Sequence, residues 1–136
     1  VLQKPTRKSP AKRSTGPTKM VREIVLDRAK HSCERCGNLL GMNMFYSIHH
    51  RIPRGMGGSD RAELNLPSNL MALCGSGTTG CHGWIESNRS SSYEDGWLCY
   101  RNDDPATVMV KIANPQQTGD RFQYVFLTDD GTYKPA

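Results

Sequence analysis

From Met20 onwards the apolar residues Val21, Ile24 and Val25, with Arg28 in register, recur at helical spacing. With Thr18 as N-cap, this spacing predicts a short helix over about residues 19–31. Residues 1–19, with Pro5, Pro10, Gly16 and Pro17 among lysines, arginines, serines and threonines, carry too little apolar surface to offset ordering and are expected to be disordered when free. Met44 to Ile48 is rich in strand formers and runs into His49 and His50. The stretch from Arg51 to Ser59, with Pro53 and three glycines, is a loop. Residues 67–73 form a loop-to-strand segment entering Cys74, and a glycine-rich link from Gly75 to Gly80 reaches Cys81. His82 to about Ser90 suits a helix with Trp84 and Ile85 on its apolar face. Beyond Gly96 three strands are predicted, at 97–100, 107–112 and 122–127, with Asp130-Gly131 as a turn. The fold class is therefore α+β, with an N-terminal helix and additional C-terminal β-strands.

A length of 136 residues fits one domain, over residues 20–136 behind the tail. A core of that size is modest and often leans on a metal or on disulfides. No run approaches the roughly 18 apolar residues that a membrane span requires. The basic N-terminus also lacks the apolar stretch of a secretory signal, so a soluble, intracellular protein without membrane partners is expected. Of the 18 lysines and arginines, six lie in residues 1–20 with no acidic residue among them, leaving 12 against 13 acidic residues in the remainder. The positive excess thus belongs to the tail, where Lys4, Arg7, Lys8, Lys12 and Arg13 suit a polyanion such as DNA. A solubilising end is the plainer alternative.

Five cysteines in such a chain point to metal or catalysis before disulfides. Cys33 and Cys36, in the run Cys33-Glu34-Arg35-Cys36-Gly37, make one knuckle, and Cys74 and Cys81, six residues apart, make a second. Four thiolates from two knuckles suit a closed tetrahedral site for structural zinc, although two disulfides could close the same loops. The wide second spacer would require Gly75, Gly77 and Gly80 to absorb its length. Cys99, in an apolar segment, reads as a core residue. Three of the four histidines fall in or beside this frame, at His49, His50 and His82. Neighbours in a strand point to opposite faces, so His49 and His50 are expected to divide their tasks.

The ordered set His49-His50-Arg51-Ile52-Pro53-Arg54-Gly55-Met56-Gly57-Gly58, then Ser68-Asn69-Leu70-Met71-Ala72-Leu73-Cys74, then Gly80-Cys81-His82-Gly83-Trp84-Ile85-Glu86, resembles the HNH endonuclease family. It is most similar to small bacteriophage members, actinophage-like proteins often encoded near the terminase. The resemblance covers about residues 20–96; residues 97–136 form a C-terminal β extension that matches more loosely. It implies a ββα-metal core in which His50 is the general base and His49 and His82 hold a catalytic divalent ion. It also implies that Asn69 braces the loop and helps hold the base, while Cys33, Cys36, Cys74 and Cys81 bind structural zinc. The activity so implied is hydrolysis of DNA phosphodiesters, nicking or cutting duplex DNA. The partners implied are DNA and the phage terminase subunits and portal, in the cytoplasm of a bacterial host.

The chemistry of the residues points the same way. A neutral imidazole can take a proton from water near neutral pH. Mg²⁺, or an imidazole-tolerant ion such as Mn²⁺, Co²⁺ or Ni²⁺, stabilises charge on phosphate oxygens. Arg51 and Arg54, on the glycine-rich loop, are expected to contact phosphates, while Trp84 and Ile85 read as core. Glu86 reads as a helix-surface residue that could hydrogen-bond an active-site histidine. The other classes open to this sequence are a non-catalytic zinc-stabilised module that binds DNA or terminase, and a disulfide-stabilised interaction domain.

Overall fold

The computed structural model describes residues 16–41, 44–55, 61–113 and 119–136. Lys4, Arg7, Lys8, Lys12 and Arg13 of the expected basic tail lie outside the described residues. The elements run α1 (Lys19–Arg28), β1 (Tyr46–His50), β2 (Leu70–Cys74), α2 (Gly80–Ser87), α3 (Arg89–Glu94), β3 (Val110–Ala113), β4 (Phe122–Leu127) and β5 (Tyr133–Pro135). The architecture is mixed α+β, and no helix among the described residues is long and apolar enough to cross a membrane.

β1 and β2 pair antiparallel, with His49 opposite Met71 and His50 opposite Leu70. Because side chains alternate along a strand, the two-stranded sheet has two working faces. Ile48, Leu70 and Ala72 pack on Val25 and Ala29 of α1. Met71 and Leu73 turn the other way, into a core with Ile85 of α2 and with Trp97, Leu98, Val110, Ile112, Val125 and Leu127 from the C-terminal third. β3, β4 and β5 form a second antiparallel sheet in that order. The C-terminal residues thus complete the main core rather than decorate it.

Several expected boundaries move, each for a local reason. The Thr18 hydroxyl does cap α1, accepting from the Val21 amide at 3.2 Å. The helix stops at Arg28 rather than near residue 31 because Lys30 and His31 take φ of 52° and 54° and turn the chain into the first cysteine pair. Trp97–Tyr100 is not a strand: the Leu98 amide donates to the Ser92 carbonyl and the Cys99 amide to the Arg51 carbonyl, so these buried residues are tied to a helix end and a loop. β3 begins only at Val110, after a 3₁₀ turn at Pro105–Thr107 that the Asp104 carboxylate caps through the Ala106 amide. The expected helix from His82 starts two residues earlier, at Gly80, and breaks at Asn88 into α2 and α3.

Two buried guanidinium groups cross-brace these layers. Arg28 makes a two-pronged pair with Glu34, at 3.1 and 2.7 Å, and donates to the carbonyls of Pro67 and Leu70. Glu34 in turn accepts from the Ala72 amide and the Tyr133 hydroxyl, so α1, β2 and β5 meet on one carboxylate. Arg51 overturns its expected role as a phosphate contact. It is 0% exposed, and its guanidinium donates to four backbone carbonyls, those of Gly96, Ser68, Pro105 and Val108. Every donor used this way is withdrawn from solvent and from any ligand. Arg54, by contrast, is only half-buried and lines an open cleft.

Replacing Arg51 with methionine leaves those carbonyls without donors, at about 1–3 kcal/mol for each buried group. Arg51→Met is therefore expected to lower the unfolding free energy by about 3 kcal/mol or more. The measurement is the urea midpoint against the parent; an unchanged midpoint would return Arg51 to a surface role.

Candidate metal centre and active-site cleft

The ligating atoms of Cys33, Cys36, Cys74 and Cys81 all lie within 4.8 Å of one another, and all five cysteines are free thiols. The Cys36 and Cys74 sulfurs are 3.9 Å apart. Sulfurs arranged tetrahedrally around zinc at about 2.3 Å stand about 3.8 Å apart, whereas a disulfide needs about 2 Å. The four cysteines can therefore hold a metal ion such as zinc. The expected core role of Cys99 holds in that it is buried away from this group, although not in a strand.

Local sequence builds each half of the cluster. In the first half the Cys33 amide donates to the Asn38 carbonyl and the Gly37 amide to the Cys33 carbonyl, curling both thiols to one side. In the second half the long spacer closes on itself. A Cβ on Gly75 would meet the Thr79 carbonyl oxygen at 2.1 Å, and one on Gly80 would meet that of Cys74 at 2.7 Å. Both glycines also take positive φ, at 86° and 60°. The residues between them form a small turn tied by the Ser76 amide and the Thr79 hydroxyl, so the six-residue link behaves as a short one. Gly77, expected to share in this, has open space around its Cα.

A hydrogen bond from Cys81 holds the Cys33 thiol down at about 5, burial pushes Cys36 up to about 11, and Cys81 rises as the donor to Cys33. A divalent cation permits all four to ionise. The remaining negative charge has a neighbour in Arg35, which donates to the Cys81 sulfur at 3.3 Å. Its guanidinium lies 4.0 Å from the ring centre of Trp84 and 4.7 Å from that of Trp97. Trp84 is 38% exposed, covering this cation rather than filling the core, whereas Ile85 is buried as expected.

Cys81 lies in the first turn of α2, so the sulfur cluster also sets where the next residue stands. His82 on α2 meets His49 on β1, ring centres 5.0 Å apart, and Glu86 lies one turn further along the helix. Glu86 Oε1 is 3.9 Å from His49 Nδ1 and 3.8 Å from His82 Nε2. Each imidazole has its other nitrogen committed. His49 Nε2 is 2.7 Å from the Trp97 carbonyl oxygen, an acceptor, so this nitrogen carries the proton and Nδ1 the lone pair. His82 Nδ1 is 2.7 Å from the Ser47 hydroxyl, which spends its own proton on the Gly75 carbonyl. Nδ1 is then the donor, and Nε2 is left with the lone pair. Burial holds His49 neutral, with a pKa of about 3, and also lowers that of His82. Two imidazole nitrogens and one carboxylate oxygen, oriented by outer hydrogen bonds, are a donor set that fits a divalent ion with positions to spare.

His50 points to the opposite side of β1, yet the same cleft of about 600 Å³ reaches it, lined also by Pro17, Arg22, Arg54, His49, His82 and Glu86. Its Nε2 is 2.9 Å from Asn65 Oδ1, which as an acceptor fixes the proton there and leaves Nδ1 basic. Burial lowers the His50 pKa from its ordinary value, keeping the ring neutral near pH 7. Asn69, 0% exposed, accepts from the Ile52 amide and donates to the carbonyls of Ile52 and Leu64. None of these bonds reaches His50 itself; together they pin the turn at Ala62–Asn65 from which Asn65 meets the ring.

Sequence reasoning underrated Glu86, Ser47 and Asn65. Glu86 could have been placed by its four-residue spacing from His82 and Ser47 by its two-residue spacing from His49, each pair sharing one face. Nothing in the sequence marks Asn65. No protein-family model, curated protein or solved structure matches the chain.

Elemental analysis of purified protein is expected to find about one tightly bound zinc per chain, lost with a fall in thermal stability in Cys74→Ser. A folded, zinc-free protein would rule out that ion. With the sulfur site filled, Glu86→Gln is expected to weaken Mn²⁺ binding about tenfold or more by calorimetry. Equal affinity would remove Glu86 from the second donor set.

Proposed function

We propose that this protein is a metal-dependent DNA endonuclease of the HNH type, hydrolysing phosphodiester bonds in duplex DNA around a zinc-stabilised core. The observation that carries this reading is the shared cleft: a neutral imidazole whose Nδ1 has no hydrogen-bond partner among the described residues, His50, opens onto the same cavity as the donors of His49, His82 and Glu86. A general base beside a divalent-ion site can activate a water and stabilise charge on the phosphate, the two tasks of phosphodiester hydrolysis. A module that only binds DNA has no use for that pairing.

In this reading His50 Nδ1 takes a proton from water while the Asn65 side chain keeps the other ring nitrogen protonated and the ring aimed. The water oxygen bonds to phosphorus as the bond to the 3′ oxygen breaks, leaving a 5′ phosphate and a 3′ oxygen that takes its proton from solvent. His49, His82 and Glu86 would hold Mg²⁺, Mn²⁺, Co²⁺ or Ni²⁺. Such an ion supplies stabilisation of negative charge on the phosphate and on the departing oxygen. Arg54 lines the cleft where a phosphate would enter, and Asn69 acts on the base through the Asn65 turn. Cys33, Cys36, Cys74 and Cys81 are assigned to zinc, apart from the reaction. A role in phage DNA processing beside terminase and portal belongs to the same proposal and rests on the motif resemblance.

Supercoiled plasmid incubated with added Mg²⁺, Mn²⁺ or Ni²⁺ is expected to be nicked. His50→Ala should lose about 10²- to 10⁴-fold of that rate with an unchanged circular dichroism spectrum. Undiminished cutting by this variant would reject His50 as the base, and binding without cutting by the parent would favour the zinc-stabilised binding module.

A further inference from the structure

A second depression, of about 430 Å³, lies against the active-site cleft, and the two share the segment Pro53, Arg54 and Gly55. Arg54, Arg61, Arg89 and Arg101 line it, and no carboxylate does so among the described residues. Its wall carries Tyr93 and Tyr100 stacked nearly parallel, ring centres 4.2 Å apart at 6°. Tyr100 is 62% exposed, leaving aromatic surface available beside the cations. The groove is also linked to the centre through charge, since Arg89 pairs with Glu86 at 3.0 Å.

We infer that this arginine- and tyrosine-lined groove holds the phosphates of the DNA strand flanking the cut, extending the cleft into a track for the backbone. The inference rests on the nuclease reading for its orientation: a strand whose scissile phosphate sits by His50 continues past Arg54 into the groove. Guanidinium forks match phosphate oxygens, and several along one path match a polymer of phosphates better than a single small anion. Among the described residues, the carboxylates paired with these cations, Glu63 with Arg61 and Glu86 with Arg89, do not line the groove. Arg61 meets Glu63 at 2.7 Å with side chains 38% and 56% exposed, and such solvated pairs give way to a polyanion at little cost. Arg61 also donates to the Arg101 carbonyl at 3.4 Å, holding two of the cationic positions side by side. The exposed face of Tyr100 offers a sequence-tolerant surface for a sugar or base.

The test uses the full chain in a His50→Ala background, so that a short fluorescent duplex is bound without being cut. Arg61→Glu combined with Arg101→Glu is expected to weaken duplex binding at least tenfold by anisotropy. The slope of log affinity against log salt should fall by about two, at about 0.9 for each phosphate no longer neutralised. Arg61→Gln with Arg101→Gln, a milder pair at the same exposed positions, should show a smaller change in the same direction. With His50 restored, both pairs should hydrolyse bis(p-nitrophenyl) phosphate, which has no flanking strand, at the parental rate. Parental duplex affinity and salt slope in both pairs would overturn the inference while leaving the nuclease reading intact. A parent that cuts neither plasmid nor the small diester would defeat the nuclease reading, and the binding arm would still judge the groove.

Discussion

Four sulfur atoms within 4.8 Å of one another impose the constraint on which the rest of this fold depends. Thiols brought that close and partly buried either share their protons awkwardly or surrender them to a cation. The sulfurs come from three places: the turn after α1, the last residue of β2 and the first turn of α2. Holding them together fixes the start of α2 against the end of β2. His82 follows Cys81 directly, so its distance from His49 on the neighbouring strand is decided at the same moment.

Buried charge does the remaining joining. Glu34 and Arg35 sit between the two cysteines of the first knuckle, and each binds something different. Glu34 gathers Arg28, the Ala72 amide and Tyr133. Arg35 lies beside the Cys81 sulfur and the faces of two tryptophans. Arg51 has no carboxylate among its hydrogen-bond partners in the described residues; its guanidinium is held by the carbonyls of Ser68, Gly96, Pro105 and Val108, four residues far from it in sequence. Such groups are costly to bury and tolerate no loss of partners, so they specify one arrangement of the loops around His49 and His50.

The cleft inherits its chemistry from this rigidity. Trp97 lends His49 a carbonyl, Ser47 lends His82 a hydroxyl, and Asn65 lends His50 an amide oxygen. Each contact commits one ring nitrogen and releases the other, so three neutral imidazoles present lone pairs in chosen directions. The partner of His49 lies in the C-terminal third, whose apolar residues Trp97, Leu98, Val110, Ile112, Val125 and Leu127 pack into the main core and so fix that carbonyl in place.

The cysteine pairs, the histidine positions, the helix cap at Thr18 and the strand at 122–127 were legible in the sequence because each rests on local spacing or on the chemistry of a single residue type. Alternation along β1 likewise foretold that His49 and His50 would part company. Other features were decided only in three dimensions. Arg51 reads as a solvent-facing loop cation until four carbonyls from distant turns surround it. Residues 97–100 have the composition of a strand, yet their backbone partners are a helix end and a loop. Asn65 acquires meaning only because Asn69 holds its turn against Ile52, just beyond β1, and Glu86 because the sulfur cluster aims its helix at His49. Periodicity records which face of an element is apolar. Which polar group meets which depends on chain closure between distant segments, and that closure was set here by the sulfur cluster and the buried guanidiniums.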